Sequence, residues 1–357
     1  MAAQQEEVAA PPAKVTVLGA GSWGTAFAKI AADTAREDKS QRQVVLWGRN
    51  SQAMADCREH RINRKYFPDL ILPDNLQFSS DLAASVRGAD ILVLALPAQE
   101  LRRQLMACLA WIKPTAQLVS LAKGLEQGSG LRMSEVIEEV LLSQAGQDPA
   151  SVRARIAVLS GPNLAKEIVA EQPTASVIAA ADRGLAERVA KICACSYFRP
   201  YTGEDLVGVE IGGLVKNVIA LCVGMCEGKG YGDNSKASVM TRGLAEMTRL
   251  ALALGAEPAT LSGLAGMGDL IATCASPLSR NHTAGRLLAQ GVEPSQLSQR
   301  MEQTAESVKT APVVAELARK HGVEMPITEA VVAVLLHRLT VDELAPRLLG
   351  RSLKNEH

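Results

Sequence analysis

One short stretch limits the choice of fold more than any other. Val15, Thr16, Val17 and Leu18 are apolar or β-branched, suited to a buried strand, and Gly19, Gly21 and Gly24 follow at the spacing G-x-G-x-x-G. From Thr25 the pattern reads as helix. At such a corner the first glycine permits a tight turn, the second admits close approach of a pyrophosphate, and the third lets helix pack on strand. The free N–H groups and positive dipole end of the helix then face the phosphates. A glycine-rich turn without a ligand would share the spacing, but the strand before it and the helix after it favour a dinucleotide site.

A chain of 357 residues has room for about two domains. Its 38 basic and 38 acidic residues balance, so no overall field draws it to nucleic acid or an anionic membrane. Aromatic residues at 3% also leave few platforms for stacking bases. Residues 1–13 are acidic and lack a long apolar run, so they read as a disordered tail rather than a signal peptide. No stretch offers the 18 or more uninterrupted apolar residues of a membrane span, so no membrane insertion is expected. The seven cysteines lack paired C-x-x-C spacing, which argues against a disulfide framework or a metal site and for the reducing cytoplasm. Cys222 and Cys226, one helical turn apart, read as core packing.

Beyond the first helix, Val44 to Trp47 form a second apolar strand that ends at Gly48-Arg49-Asn50. An acidic residue commonly stands here to bind the ribose 2′-hydroxyl of NAD. Arg49 can instead face the 2′-phosphate of NADP, or be a solvated loop arginine. Residues 60–76 read as a long connection before Gln77 and Phe78 rejoin the sheet, and Asp81 suits the cap of a short helix. Ile91 to Leu96 is a continuous apolar run, the mark of a strand covered on both faces, and Gln117 to Leu121 repeats the strand pattern. The second delivers Lys123 to its carboxyl end, where ligands collect in open α/β sheets. Ile156 to Ser160 carries Gly161-Pro162-Asn163 to the same rim, with Pro162 placed for the first turn of the next helix. Ser176 to Ala180 and Phe198 to Tyr201 add later strands.

Near Gly203 the alternation of strand and helix stops, and the remaining periodicity is helical. The fold class is therefore an α/β Rossmann-type domain with a predominantly parallel sheet, residues 14–203, followed by an all-α domain, residues 204–357. The first helix of the second part, Leu206 to about Glu227, is almost wholly apolar yet carries Lys216 and Asn217 in its middle. An unpaired buried ammonium is costly, so Lys216 either snorkels out or lines a polar cavity. Further on, a glycine-rich turn at residues 263–268 presents Asp269, and Ser279-Arg280-Asn281 opens another helix. Asp269 could be a helix cap and Ser279 a helix start. The three features together point to a site.

At this point the chain resembles the bacterial-type NAD(P)-dependent glycerol-3-phosphate dehydrogenases, from Lys14 to Leu353. The resemblance rests on GAGSWGTA at residues 19–26, AKGLE at 122–126, SGPN at 160–163, GGLVKNVIA at 212–220, GMGDL at 266–270 and SRN at 279–281, in family order. It implies a C-terminal domain like that of 6-phosphogluconate dehydrogenase, NAD or NADP as cofactor, and a cytoplasmic homodimer. Ser22, Trp23, Arg49 and Ala165 match cofactor positions, as do Thr304 and Glu306, and Lys123 matches one shared by cofactor and substrate. Gly161, Asn163, Asp269, Ser279, Arg280 and Asn281 match the substrate shell, with Arg280 also reaching the cofactor, and Lys216 matches the proton acceptor. Asn163 stands where many members have threonine, and Thr304 where an aliphatic residue is commoner.

The implied substrates are glycerol 3-phosphate and dihydroxyacetone phosphate. Oxidising a secondary alcohol needs a base for the hydroxyl proton while hydride leaves for a nicotinamide, and the reverse needs an acid. Lys216 can serve as both, Asp269 can orient it, and Arg280 and Asn281 offer donors to a phosphate. Two other readings remain at this stage. A β-hydroxyacid or ketopantoate-type dehydrogenase would share the architecture, and a non-catalytic dinucleotide sensor would share the glycine loop.

Overall fold

The computed structural model describes residues 13–301 and 305–350. The expected tail, apart from Ala13, lies outside the described residues, as does Thr304. Eight strands form one sheet in the order β3-β2-β1-β4-β5-β6-β7-β8. They are β1 Lys14–Leu18, β2 Gln43–Trp47, β3 Leu76–Ser79, β4 Ile91–Leu94, β5 Gln117–Ser120, β6 Ile156–Ser160, β7 Thr174–Ala180 and β8 Phe198–Gly203. Strands β1 to β6 are mutually parallel. β7 turns back antiparallel to β6, and β8 runs parallel to β7. Strand order reverses about β1, between β2 and β4, and in open α/β sheets ligands bind at the carboxyl ends beside such a switch.

The continuous apolar strands are covered on both faces, as their sequences imply. Val15, Val17, Leu46 and Val93 pack on one side with Phe27 and Ile30 of the first helix, α1 (Ser22–Glu37). Leu18, Leu92, Leu94 and Leu118 pack on the other with Leu101, Leu105 and Val136. The helix starts at Ser22, three residues earlier than the sequence suggests, because extended backbone at Gly21 caps it directly after the turn. Gly24 therefore lies inside the first turn, where a Cβ would overlap the Gly19 carbonyl.

The reversal of β7 and β8 returns the chain to the opposite end of the sheet, and the helix Leu206–Gly228 then climbs back towards the carboxyl rim. On the way Val209 packs against Val158 and Ala179. Gly213 then passes so close to Ser160, the last residue of β6, that a Cβ there would overlap its Oγ. Lys216 emerges just beyond the rim. This central helix is long and apolar enough to cross a membrane by length and composition, but 83% of its most apolar window is buried inside the protein. An all-round apolar helix of this kind is a core helix. The helices around it include Asp233–Ala253, Arg280–Ala289 and Ser307–Lys320. Cys222 packs with Val218 and Leu221, and Cys226 is buried too, in keeping with core packing.

Candidate active site

Lys216 does not snorkel. It is 6% exposed, and its Nζ donates to Asp269 Oδ1 at 2.6 Å and to Thr273 Oγ1 at 2.6 Å. Asp269, 1% exposed, opens the helix Asp269–Ala275, where a carboxylate meets the positive end of the helix dipole. The glycine-rich turn before it takes a helical form. Leu264–Gly268 winds as a wide π-type helical turn running straight into Asp269, with Gly268 N donating to the Gly263 carbonyl. Small residues allow this: Ala265 packs with Val209 and Val158 at the sheet face. Such turns often aim side chains at functional sites.

The second carboxylate oxygen of Asp269 binds another lysine. Lys123, delivered by β5, donates to Asp269 Oδ2 at 2.7 Å and to the Gly161 carbonyl at 3.0 Å. One carboxylate thus bridges two ammonium groups, one from the sheet rim and one from the central helix. Burial lowers the Lys216 pKa to about 8 from its ordinary 10.5, with Lys123 pushing the same way and Asp269 opposing. Two cations against one anion leave the centre with positive charge for an anionic ligand.

The amides near it are held in place. Asn281 donates to Asn217 Oδ1 at 2.9 Å, Asn217 donates to the Gly213 carbonyl at 3.3 Å, and Ser307 donates to Asn281 Oδ1 from both N and Oγ. Ser279 is buried, and its hydroxyl caps Arg280–Ala289 by accepting from His282 N. Arg280 is exposed at the start of that helix. Half-buried Glu306 has its carboxyl raised by burial, while Arg280, Lys123 and Lys216 all oppose the shift, so it faces the same cluster. At the rim, Asn163 Oδ1 accepts from Ser176 Oγ, and Asn163 Nδ2 is buried without a partner among the described residues. Pro162 does not begin the next helix. That helix is Ala165–Val169 with Leu164 as its cap, because Pro162 lies in the loop that turns Asn163 towards Ser176.

The remaining residues gather at the carboxyl ends of β1 and β2. Gly19 N donates to the Trp47 carbonyl of β2, and Gly21 caps α1 without a side chain. The N–H groups of Gly21, Ser22 and Trp23 have no partner among the described residues, and Trp23 Nε1 is buried and unpaired. Unfilled donors at a helix N-terminus suit a pyrophosphate. Ala165 and Trp23 pack on the same cluster beside α1. Arg49 is exposed past β2, within electrostatic reach of Glu100 on the helix after β4.

Sequence reasoning passed over Thr273 and Ser307. Thr273 lies four residues after Asp269, on the same helix face, and that spacing was the available signal. Ser307 left none.

Comparison with known proteins shows the family. The N-terminal model of NAD-dependent glycerol-3-phosphate dehydrogenase matches residues 14–186, and the C-terminal model matches residues 205–346. A Thermobifida fusca protein, named as an NAD(P)+ glycerol-3-phosphate dehydrogenase, is 50% identical over 96% of this chain and 98% of its own. The crystal structure of glycerol-3-phosphate dehydrogenase from Coxiella burnetii is 33% identical, covers 95% of this chain and 99% of its own, and superposes with a TM-score of 0.85. A ketopantoate reductase from Ralstonia eutropha, 16% identical with a TM-score of 0.52 over 93% of this chain and 99% of its own, shares the fold alone. Across nearly its whole length, the chain belongs to the NAD-dependent glycerol-3-phosphate dehydrogenases.

Proposed function

We propose that this protein is an oxidoreductase interconverting sn-glycerol 3-phosphate and dihydroxyacetone phosphate with NAD(P), supplying glycerol 3-phosphate for phospholipid synthesis. The observation that carries the reading is the buried Lys216, paired with Asp269 and Thr273 beside a second lysine. NAD(P), held by the glycine loop and the free N–H groups of Gly21, Ser22 and Trp23, would supply the hydride acceptor or donor. Lys216 Nζ takes the proton from the secondary hydroxyl as the carbonyl forms, and gives it back in reduction. Asp269 holds Nζ in place and fixes Lys123 against the Gly161 carbonyl. Arg280, Asn281 and Asn163 supply donors for the phosphate and hydroxyl oxygens, within the positive field of the two lysines. Residues 14–203 bind the nucleotide and residues 204–357 complete the substrate side.

Arg280 tests the assignment. Losing a hydrogen bond to a charged group is worth roughly 1.5–3 kcal/mol, so Arg280→Ala should lower kcat/KM for dihydroxyacetone phosphate about ten- to a hundredfold. Dihydroxyacetone, which lacks the phosphate, should lose far less. Equal losses on both substrates would assign Arg280 to the cofactor or the fold.

Arg49 lies where the adenosine ribose is read. Arg49→Asp replaces a phosphate partner with a like charge, so the KM for NADPH should rise much more than that for NADH. Steady-state kinetics with the two cofactors decide it, and equal shifts would remove Arg49 from recognition. The cytoplasmic homodimer is part of the same reading. Seven free thiols, six of them buried, support a reducing compartment. Light scattering should give twice the chain mass at micromolar concentration, and a monomer would refute the dimer.

A further inference from the structure

Residues 61–75, the connection before β3, take no part in the chemistry above. One side chain from it reaches back beneath the glycine loop. Asn63, 5% exposed, donates from Nδ2 to the Ala20 carbonyl at 3.1 Å and to Thr25 Oγ1 at 2.9 Å. Its own backbone is anchored, since the Asn63 carbonyl accepts from Tyr66 N at 3.0 Å and Phe67 N at 2.8 Å. Phe67 and Leu72 then bury the connection in the core beside α1. The amide therefore comes from a fixed support, and both of its hydrogens are committed to the loop and the helix that follows.

Ala20 stands between the first two glycines of G-x-G-x-x-G. In a planar trans peptide the C=O and the next N–H point in opposite directions, and no described peptide is cis. A carbonyl drawn inward by Asn63 thus turns the N–H of Gly21 outward. That N–H has no partner among the described residues, and a Cβ on Gly21 would meet nothing within 4 Å. We propose that Asn63 is a positioning residue for the dinucleotide: it locks the Ala20–Gly21 peptide plane so that the Gly21 N–H is presented to the pyrophosphate. Without it a peptide flanked by glycines is free to rotate, and the Ala20 carbonyl would turn its negative end towards the phosphates. Thr25 shares the same amide, so loop and helix are held as one unit. Asn63 itself touches neither cofactor nor substrate. The proposal rests on the dinucleotide reading of the glycine loop.

The test is a calorimetric comparison of ADP-ribose with adenosine, which lacks the pyrophosphate, on the full-length protein. The ratio of their dissociation constants measures what the pyrophosphate adds. In Asn63→Ala this ratio should shrink about tenfold or more, because a hydrogen bond to a charged group is misdirected. NADH and NADPH should weaken alike, and kcat at saturating cofactor should change little. Thr25→Val keeps the β-branched shape and removes one anchor, so it should shrink the ratio in the same direction by less. It also provides the readout should Asn63→Ala not fold. A variant that weakens ADP-ribose and adenosine equally, or neither, overturns the proposal. Wild-type protein that binds neither ADP-ribose nor NADH overturns the dinucleotide reading with it.

Discussion

Lys216→Met is expected to lower kcat by about 10²–10⁴-fold, the range for losing a general acid/base, while NADH binding and the melting transition persist. Methionine keeps most of the stem that packs in the central helix, and Asp269 retains Lys123 as a partner. The pH dependence follows from a folded-state pKa of about 8, below the ordinary 10.5. Alcohol oxidation uses the neutral amine, so its kcat/KM should rise with pH and level above about 8. Carbonyl reduction uses the ammonium and should fall above about 8. Stability carries the matching sign. A lysine with a depressed folded pKa opposes folding fully below pH 8, by about 3 kcal/mol, and this penalty is relieved as pH rises towards 10.5. Melting curves of wild type and variant should therefore differ in slope between those values. A folded Lys216→Met protein with near-normal kcat would show that the lysine is structural.

Asp269→Asn keeps the shape of the bridge but deletes its charge, leaving the buried Lys216 ammonium and the half-buried Lys123 with only a neutral acceptor between them. Breaking a buried pair by removing one partner costs about 3–5 kcal/mol, so a marked drop in melting temperature is expected. The kinetic signature is more specific. Asp269 raises the Lys216 pKa and Lys123 lowers it, so the variant's pH limb should move below 8. At neutral pH less ammonium then remains, and reduction should lose more than oxidation. Unchanged pH profiles in both directions would show that Lys216 does not respond to this carboxylate.

The strands were legible because parallel strands covered on both faces tend to be apolar throughout, as in Ile91 to Leu94, and β5 keeps the same apolar centre at Leu118 and Val119. The return of β7 and β8 was not, since strand direction leaves no local trace in side chains. Pro162 was misleading: its fixed φ suits a helix start, but an X-Pro pair serves a loop equally well. The glycines of residues 263–268 read as a turn, and its wide helical form was not legible; it presses so close to the central helix that a Cβ on Gly212 would overlap the Ala265 carbonyl. Lys216 stood out because a cation interrupts an apolar helix. Its partner Thr273 is 57 residues away, and Asn63 is 43 from the carbonyl that it holds, so no window along the chain brings either pair together.

The central helix has a consequence for how such a chain can be divided. Its first turns cover Val158, Val177 and Ala179 of the sheet, and its middle carries Lys216 among the other helices. A fragment ending at Gly203 would bare that apolar strip to water, and a fragment beginning at Glu204 would carry a helix whose first turns have nothing to rest on. Recombining halves between relatives at the point where the strands end would break the seam that sets Lys123 and Lys216 on one carboxylate. The halves can be told apart along the chain, but one carboxylate ties them together.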